Sequence, residues 1–302
     1  MCAEGTNLLW VDAAAPSSEE LDRICSTFGL SEHAAAILRH TNRRPVVRVY
    51  RDHFIVTVLS VDVEEEDTSP RIKVIELDML VGRGYLVSLH RRPRPLPFMD
   101  ELEQRAANNP HLGGLPSTYL LYVLLDTVVG GYAREFDEVE DNVERLEEQL
   151  LREPGRGGLD KATLLKRHVL NLRRLIAPHR EAFGVLAAAD IPLIREENVE
   201  VYFRDLLDHV EDVIDRLDHA RDVLTGAFNL YISNISHRSN QELRVLTFLS
   251  AVLLPMTVIT GLFGTNFALA EYASWQLFYV MLAGMGLLAA GMLGFMRWRR
   301  WL

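Results

Sequence analysis

The C-terminal end of the chain carries two long apolar runs. Val245–Phe263 is nineteen residues without a charge, Trp275–Met296 is twenty-two, and Glu271 is the only formal charge between Arg244 and Arg297. A bilayer core of about 30 Å is crossed by about 20 apolar helical residues. Each run is therefore predicted to be a membrane-spanning helix, and the loop between them has only eleven residues.

Near the N-terminus the pattern is that of mixed α and β structure. Pro45–Val63 and Ile72–Leu89 are rich in Val, Ile, Tyr and Phe and are interrupted by polar and glycine turns, which predicts pairs of β-strands. Ser17–Phe28 opens with two serines followed by two glutamates, which is the signature of a helix start. An α/β domain is predicted over residues 1–116.

From Ser117 the apolar positions recur at helical spacing. One acidic segment has apolar side chains at steps of 3 and 4 and is predicted to stop at Pro154–Gly158, and Leu159–Ala177 follows as the next helix. A third helix is predicted to start near Glu196. Because no Gly or Pro occurs between Gly226 and Pro255, it is expected to continue into the first apolar run.

The apolar positions of this third helix nearly follow a seven-residue repeat, from Val210 to Ile235. The repeat fits either a core within the chain or a contact with another subunit. The predicted fold is an α+β domain (1–116), a region of long helices (117–244) and a two-helix transmembrane part (245–302) that contains the loop Gly264-Thr265-Asn266.

Charge predicts the orientation of the two spans. Arg238 and Arg244 precede the first span and three arginines follow the second, whereas the loop has no Lys or Arg. By the positive-inside rule both termini are expected on the cytoplasmic side of a cell (inner) membrane. No signal peptide is visible at the N-terminus.

The composition also limits the partners and the chemistry. The net charge is −10, and residues 1–240 carry 28 basic and 40 acidic side chains. Such an acidic body argues against nucleic acid, and it suits either solubility alone or the concentration of cations near a membrane opening. Cys2 and Cys25 have no CxxC partner, and we expect reduced thiols rather than a zinc site. No HExxH, Walker loop or catalytic cluster is present, so an enzyme is not expected.

Several stretches in fixed order resemble one known family. They are Tyr202-Phe203-Arg204-Asp205, Asp208-His209, Asn240–Thr247, Leu254–Thr257, Gly261–Phe267 and the basic tail Arg297–Leu302. This order and spacing resembles the CorA-type divalent-cation channels, the two-span Gly-x-Asn family. The resemblance implies a homopentamer in which the first span lines a pore, the second faces lipid, and cytoplasmic α/β domains cap a funnel of long helices. Gly264, Thr265 and Asn266 would form the outer mouth and select the ion.

Two departures from that family bear on the ion. Most Mg²⁺-type members have Gly-Met-Asn where this chain has Gly264-Thr265-Asn266, and their acidic loop is replaced here by residues 268–272, Ala-Leu-Ala-Glu-Tyr. The change at Thr265, together with Thr260-Gly261-Leu262-Phe263, is similar to the ZntB-type zinc-transporting branch. The expected function is passive transport of Mg²⁺, with Co²⁺ or Ni²⁺ as further ions. A Zn²⁺ transporter or a non-conducting, membrane-tethered ion sensor is the alternative.

A line of neutral polar groups on the first span suits a hydrated ion. Its members lie at steps of 7, 3, 7 and 4, and we call them the polar stripe: Asn240, Thr247, Ser250, Thr257 and Gly261. Mg²⁺ dehydrates reluctantly, so hydroxyl and amide oxygens can bind its water shell. No His, Cys or carboxylate lies on the stripe, which argues against a tight zinc site. The alternative is that these groups join helices to one another.

Three further residues of this hairpin are candidates for pore roles. Asn266, at the tip, is the first choice for the outer mouth, where a ring of its carbonyls would meet an incoming hydrated cation. The alternative for Asn266 is an ordinary turn residue. Leu246 and Leu254 lie close to the polar stripe and are expected to gate by dewetting, or else to pack against neighbours.

The long helix also carries an acidic stripe at steps of 3, 4 and 3: Asp205, Asp208, Asp212 and Asp215. The resemblance implies that Asp205 helps to bind regulatory divalent ions between subunits, and Asp208 is the second candidate ligand. Bound ions would then hold the channel closed. A solvated acidic face is the alternative. No cofactor is expected besides the transported or regulatory ions.

Overall fold

A computed structural model of the chain describes residues 8–41, 44–64, 71–92, 114–152, 156–188, 190–264 and 275–298. Contacts between residues divide the chain into two units, Met1–Phe228 and Asn229–Leu302. The first unit contains the β-sheet and most of the helices.

The first unit is built on a five-stranded mixed sheet in the order β1-β5-β4-β3-β2. Its strands are β1 (Leu9–Ala14), β2 (Val46–Val49), β3 (His53–Glu64), β4 (Arg71–Gly82) and β5 (Tyr85–His90). β1 pairs with β5 in parallel, and the other neighbours are antiparallel. The predicted strand pairs are confirmed. β4 and β5 are joined by Arg83 and Gly84, and Gly84 adopts a φ of 76°, which a tight hairpin turn requires.

Two short helices cover one side of this sheet. They are α1 (Ser18–Thr27) and α2 (Glu32–Arg39). The predicted start of α1 is confirmed, since Ser17 accepts a hydrogen bond from the Glu20 N–H while the Glu20 carboxylate accepts one from the Ser17 N–H. The apolar core that these helices share with the sheet includes Leu21, Ala34, Leu38, Ile55, Leu80 and Val87.

In the part of the chain that the structure describes, six further helices follow the sheet: α3 (Ser117–Arg152), α4 (Arg156–Ile176), α5 (His179–Ala187), α6 (Pro192–Glu196), α7 (Glu200–Gly264) and α8 (Trp275–Trp298). Two predicted boundaries were wrong. α4 begins at Arg156 rather than Leu159, so its first turn includes three residues of the predicted glycine-rich stop, Arg156, Gly157 and Gly158. The long helix starts at Glu200, because Asn198 adopts a left-handed φ of 55° and separates it from α6.

A buried polar cluster joins the sheet to α3 and α5. β2 pairs only with residues 54–57 of β3, and farther along β3 the backbone of Leu59 is bonded to side chains. The Leu59 N–H donates to His179 Nε2 at 3.0 Å, and the Tyr132 hydroxyl donates to the Leu59 carbonyl. His179 Nδ1 lies 3.1 Å from the Ile176 carbonyl, which fixes the ring as a neutral imidazole with its proton on Nδ1.

The second unit contains the C-terminal half of α7 and all of α8. The expected continuation of the long helix into the first apolar run is confirmed, and Pro255 lies inside it. Among the described residues, one helical segment, Glu200–Gly261, contains a window long and apolar enough to cross a membrane; a shorter apolar stretch of α8 covers Tyr279–Phe295. Both helices have a half-buried side at helical spacing: Phe248, Ala251, Val252, Pro255, Met256 and Ile259 on α7, and Met281, Met285, Leu288, Ala289 and Met292 on α8.

Candidate functional site

All but two of the predicted site residues lie on α7. Asp205 and Asp208 belong to its part in the first unit, and the polar stripe belongs to its part in the second. Gly264 is the last residue of α7. Thr265 and Asn266 lie outside the described residues, so their role at an outer mouth stays a prediction.

One face of α7 is buried within the first unit. Its buried positions alternate by 3 and 4: Phe203, Leu206, Val210, Val213, Leu217, Ala220, Leu224 and Ala227. This part of the apolar repeat is therefore core within the chain, which decides between the two alternatives that the sequence left open. Phe228 and Ile235, at the end of the predicted repeat, are exposed.

The opposite face of α7 is exposed from Asp205 to Gly261. This face begins at Asp205, two positions after Phe203, and each of its residues is solvent-exposed in the single chain. We call it the open face; it comprises Asp205, Asp208, Asp212, Asp215, His219, Asp222, Gly226, Asn229, Ser233, Ser236, Asn240, Leu243, Thr247, Ser250, Leu254, Thr257 and Gly261. Along the whole open face, successive residues are separated alternately by three and four positions. A strict seven-residue repeat of this length is typical of helices that wind around one another in a left-handed supercoil.

The chemistry of the open face changes along the helix. Toward its N-terminal end it presents carboxylates, and toward Gly261 it presents neutral hydroxyls, amides and glycine. The sequence analysis identified these ends separately, as the acidic stripe and the polar stripe. It missed that Ser236 lies between the two stripes, and Leu243 within the polar stripe, on the same face. The seven-residue spacing from Ser250 to Thr257, extended toward the N-terminus, passes through Leu243 and Ser236 and is the signal that could have found them.

The threonines of the polar stripe present acceptors outward. The Thr247 hydroxyl donates to the Leu243 carbonyl and the Thr257 hydroxyl to the Leu253 carbonyl, both at 2.8 Å. A hydroxyl has one hydrogen and two lone pairs, so these internal bonds use the donor and leave an oxygen that can accept. A hydrated cation offers water hydrogens at its surface, and such oxygens match it.

The two predicted gating leucines are among the most exposed apolar side chains of the described chain. Leu254 lies on the open face and is 65% exposed, while Leu246 lies beside that face at 60%. Leu243, which the sequence analysis did not select, also lies on the open face. None of the three packs into a core of the single chain, so any role for them depends on a surface outside it.

The acidic stripe does not form a complete ion site within one chain. Asp205 Oδ1 lies 3.9 Å from His209 Nε2, and both side chains are more than half exposed. Among the described residues, no group of three or more His, Cys, Asp or Glu side chains is arranged to hold a metal ion. A divalent ion bound at Asp205 or Asp208 would therefore need ligands from water or another chain.

Other carboxylates surround the start of the open face. Burial raises the pKa of the Tyr122 hydroxyl, and the nearby Asp126 and Asp205 carboxylates raise it further. Farther along, Asp212 and His209 line a cavity of about 340 Å³ between α3 and α7. The carboxylates at this end of α7 thus include Asp126 of α3, which the sequence analysis did not identify, and Arg134 and Arg216 line the same cavity.

Comparison with known proteins identifies the family. The family model described as "CorA-like Mg2+ transporter protein" matches residues 5–298. The chain belongs to this CorA-like family. Its members are divalent-cation transporters rather than enzymes, and they are membrane proteins. The resemblance stated from the sequence is therefore confirmed.

Two relatives are similar to this chain over most of its length. The cobalt/magnesium transport protein CorA of Thermotoga maritima is 35% identical over 286 residues, which span 94% of this chain and 80% of the relative. The zinc transport protein ZntB of Photorhabdus laumondii is 24% identical over 283 residues, which span 89% of this chain and 81% of the relative. The family thus includes proteins named for different ions.

A solved structure shows the same fold. The complete CorA magnesium transporter from Methanocaldococcus jannaschii matches with a TM-score of 0.80 at 21% identity and covers 100% of this chain and 94% of its own. The predicted fold class is confirmed: an α+β domain, a long helix and a C-terminal helix.

Proposed function

We propose that this chain forms a passive channel for hydrated divalent cations, with Mg²⁺ as the main ion and Co²⁺ or Ni²⁺ as further ions. The observation that carries the proposal is the open face of α7. It stays exposed and, apart from Leu243 and Leu254, lacks large apolar side chains through a segment apolar enough to cross a bilayer. Polar groups in a bilayer ordinarily face protein or water rather than lipid.

The open face would line the pathway in a homopentamer, with both termini in the cytoplasm of a cell (inner) membrane and α8 toward lipid. Five copies of Thr247, Ser250 and Thr257 would surround the ion with hydroxyl acceptors. These suit Mg²⁺ because they bind its water shell without removing it. No energy source besides the gradient is needed, since two charges crossing 100 mV gain about 4.6 kcal/mol.

The acidic end of the open face would serve regulation. Carboxylates of neighbouring subunits would come close together there, and bound divalent ions would offset their repulsion. Asp205 and Asp208 would then hold the closed state when cytosolic Mg²⁺ is high. Loss of those ions would release the helices, which gives feedback on the transported ion.

Ion flux into liposomes tests the channel directly. Purified protein in liposomes should take up Mg²⁺ along its gradient, and Asn266→Ala should reduce uptake to the level of empty liposomes. Asn234→Ala is the matched control, since Asn234 is exposed on α7 but is not part of the open face. Absence of divalent uptake by the parent protein, or full uptake by Asn266→Ala, would overturn the proposal.

Zinc transport is the second candidate. It is favoured by Thr265 in place of Met and by the match to a zinc transport protein. The open face argues against zinc transport, because it has no His, Cys or carboxylate between Asn240 and Gly261, and these are the side chains that bind Zn²⁺. Zn²⁺ uptake that requires a pH gradient, together with little Mg²⁺ uptake, would replace the first proposal by this one. Uptake of neither ion would favour an ion sensor.

A further inference from the structure

A wide groove lies in the first unit, away from the open face of α7. It is formed by α3, α4 and the outer face of β4, and its volume is about 900 Å³. Small-molecule sites in proteins occupy about 300–1,000 Å³, so the groove has room for a ligand of the size of a nucleotide.

The polar lining of the groove is cationic in a chain whose net charge is −10. Four basic side chains and three amides surround it: Arg145, Lys161, Arg167, Arg174, Asn142, Gln149 and Asn171. Arg145 forms one exposed ion pair, with Asp141 at 3.8 Å. For Lys161, Arg167 and Arg174 the described part of the chain supplies no carboxylate partner.

Some other arginines of the first unit are paired with carboxylates. Arg173, the neighbour of Arg174 on α4, bonds Asp218 at 2.7 Å, and Arg216 bonds both Asp137 and Glu140. Four basic side chains line the groove without a carboxylate among the described residues that line it, so they form a local positive patch in an acidic protein. Such a cluster attracts anions.

The floor of the groove is apolar. It consists of Ile72, Val74, Leu146, Leu164, Leu165 and Leu175. Leu164 is 50% exposed and Val74 is 39% exposed, so apolar area remains open to solvent between the basic side chains. A small inorganic anion would leave this floor uncovered, whereas a ligand with an apolar body would bury it.

The spacing of two arginines on α4 indicates the length of the anion that they could bind together. Arg167 and Arg174 are seven residues apart, so they lie on one side of the helix about 10 Å apart along its axis. Two guanidinium groups at this spacing can reach a chain of phosphates from both ends, and the guanidinium fork binds phosphate oxygens in pairs.

We propose that this groove binds an amphipathic organic phosphate, with its phosphates on Arg167 and Arg174 and its apolar body on Leu164 and Val74. The proposal does not depend on the ion-channel function. The class includes nucleoside polyphosphates, and inorganic polyphosphate shares only the charged half of this chemistry.

Titration calorimetry on the full-length protein in detergent tests the groove. The probes are ATP, inorganic tripolyphosphate and adenosine, all in EDTA so that Mg²⁺ plays no part. ATP should bind most tightly, tripolyphosphate more weakly, and adenosine not measurably. The double variant Arg167→Gln/Arg174→Gln should weaken ATP binding about tenfold or more, and Leu164→Ser about threefold.

The matched control is Arg23→Gln, an exposed arginine on α1 outside the groove, which should bind ATP as the parent does. No ATP binding at millimolar concentration, or equal binding by the double variant, would overturn the site. Equal affinity for ATP and tripolyphosphate, with no effect of Leu164→Ser, would overturn the role of the apolar floor.

Discussion

In both halves of α7 the residues of one face recur at alternating steps of three and four, but their surroundings differ between the halves. In the first unit, Phe203, Leu217 and the rest of its buried series pack into the core of their own chain. In the second unit, Tyr231 is still buried, but beyond it the helix has at most a half-buried side, and large leucines such as Leu254 are exposed. The first part of α7 thus packs into the core of its own chain, whereas the apolar surface of its second part is not covered by the single chain.

The difference shows which part of the helix depends on its surroundings. Exposed leucines and valines at this density are costly in water, and they become stable only in lipid or against other copies of the chain. The core of the first unit is formed within one chain, whereas the apolar surface of the second would have to be covered by lipid or by other protein. Mutations that are equal in chemistry should therefore act on stability in one half and on transport in the other.

The largest contrast is expected between two leucine truncations. Leu217→Ala removes a fully buried side chain and should lower the free energy of unfolding by about 2–5 kcal/mol. Leu254→Ala, the matched change on the open face, should lower it by less than about 1 kcal/mol and should instead change Mg²⁺ flux. Urea unfolding followed by circular dichroism in detergent, together with liposome flux, measures both. Equal destabilisation by the two variants would contradict the comparison.

A second contrast concerns pH, because two buried groups of the first unit titrate in opposite senses. Burial raises the pKa of Asp78 to about 7, although the Thr57 hydroxyl donates to it at 2.6 Å. Burial lowers the pKa of His179 to about 4. The protonated Asp78 stabilises the fold at low pH, and this contribution is lost as the pH rises toward 7. The neutral His179 stabilises it above about pH 6.5, and this contribution is lost as the pH falls toward 4.

Replacing Asp78 should expose the His179 effect. As the pH falls from 7 to 4, the free energy of unfolding of the parent should rise by about 3–4 kcal/mol relative to that of Asp78→Asn, because Asp78 becomes protonated. In Asp78→Asn only the His179 effect remains, so its own free energy of unfolding should fall by about 3 kcal/mol between pH 6.5 and pH 4. Denaturant unfolding at several pH values measures this, with the exposed Asp160→Asn as control. Parallel stability curves for parent and Asp78→Asn would refute it. The open face from Asn229 to Gly261 has no titratable side chain and should not contribute.

On the exposed side of α7 in the first unit, Asp205 should affect regulation but not stability. Asp205→Asn should raise the internal Mg²⁺ concentration that gives half-inhibition of flux about fivefold or more, because a ligand of the closed state is lost. Glu211→Gln is the matched control: Glu211 lies on α7 outside the open face and bonds Arg180 at 2.6 Å. Unchanged inhibition in Asp205→Asn would make the acidic stripe a solvated surface only.

Local signals predicted much of the fold from the sequence. The serine and glutamate pattern at Ser17 fixed the start of α1, and the absence of Gly and Pro after Gly226 predicted that α7 continues into the apolar run. β1 was not predicted, because its partner β5 lies about 75 residues away and no local pattern records that pairing. The start of α7 was misplaced because the sequence does not show that Asn198 adopts a left-handed backbone.

The candidate site was predicted in pieces. Asp205 and Thr257 were found by short-range spacing within their own segments. Leu243 was not, because it is apolar, and Ser236 was not, because it precedes the polar stripe, although the seven-residue spacing includes both. His179 was not selected either. Its role depends on Leu59 and Tyr132, which are far from it in sequence and meet it only in the folded core.

The smallest contrast, and the sharpest test of the open face, compares two threonines three residues apart. Both Thr257 and Thr260 donate their hydroxyl hydrogens to backbone carbonyls of α7, but only Thr257 lies on the open face. Thr257→Val should reduce Mg²⁺ flux roughly threefold, since one net hydrogen bond to the ion's water shell is worth about 0.5–1.5 kcal/mol. Thr260→Val removes the same hydroxyl beside that face and should leave liposome flux unchanged. If both variants lose flux equally, the pathway is not aligned with the seven-residue repeat of α7.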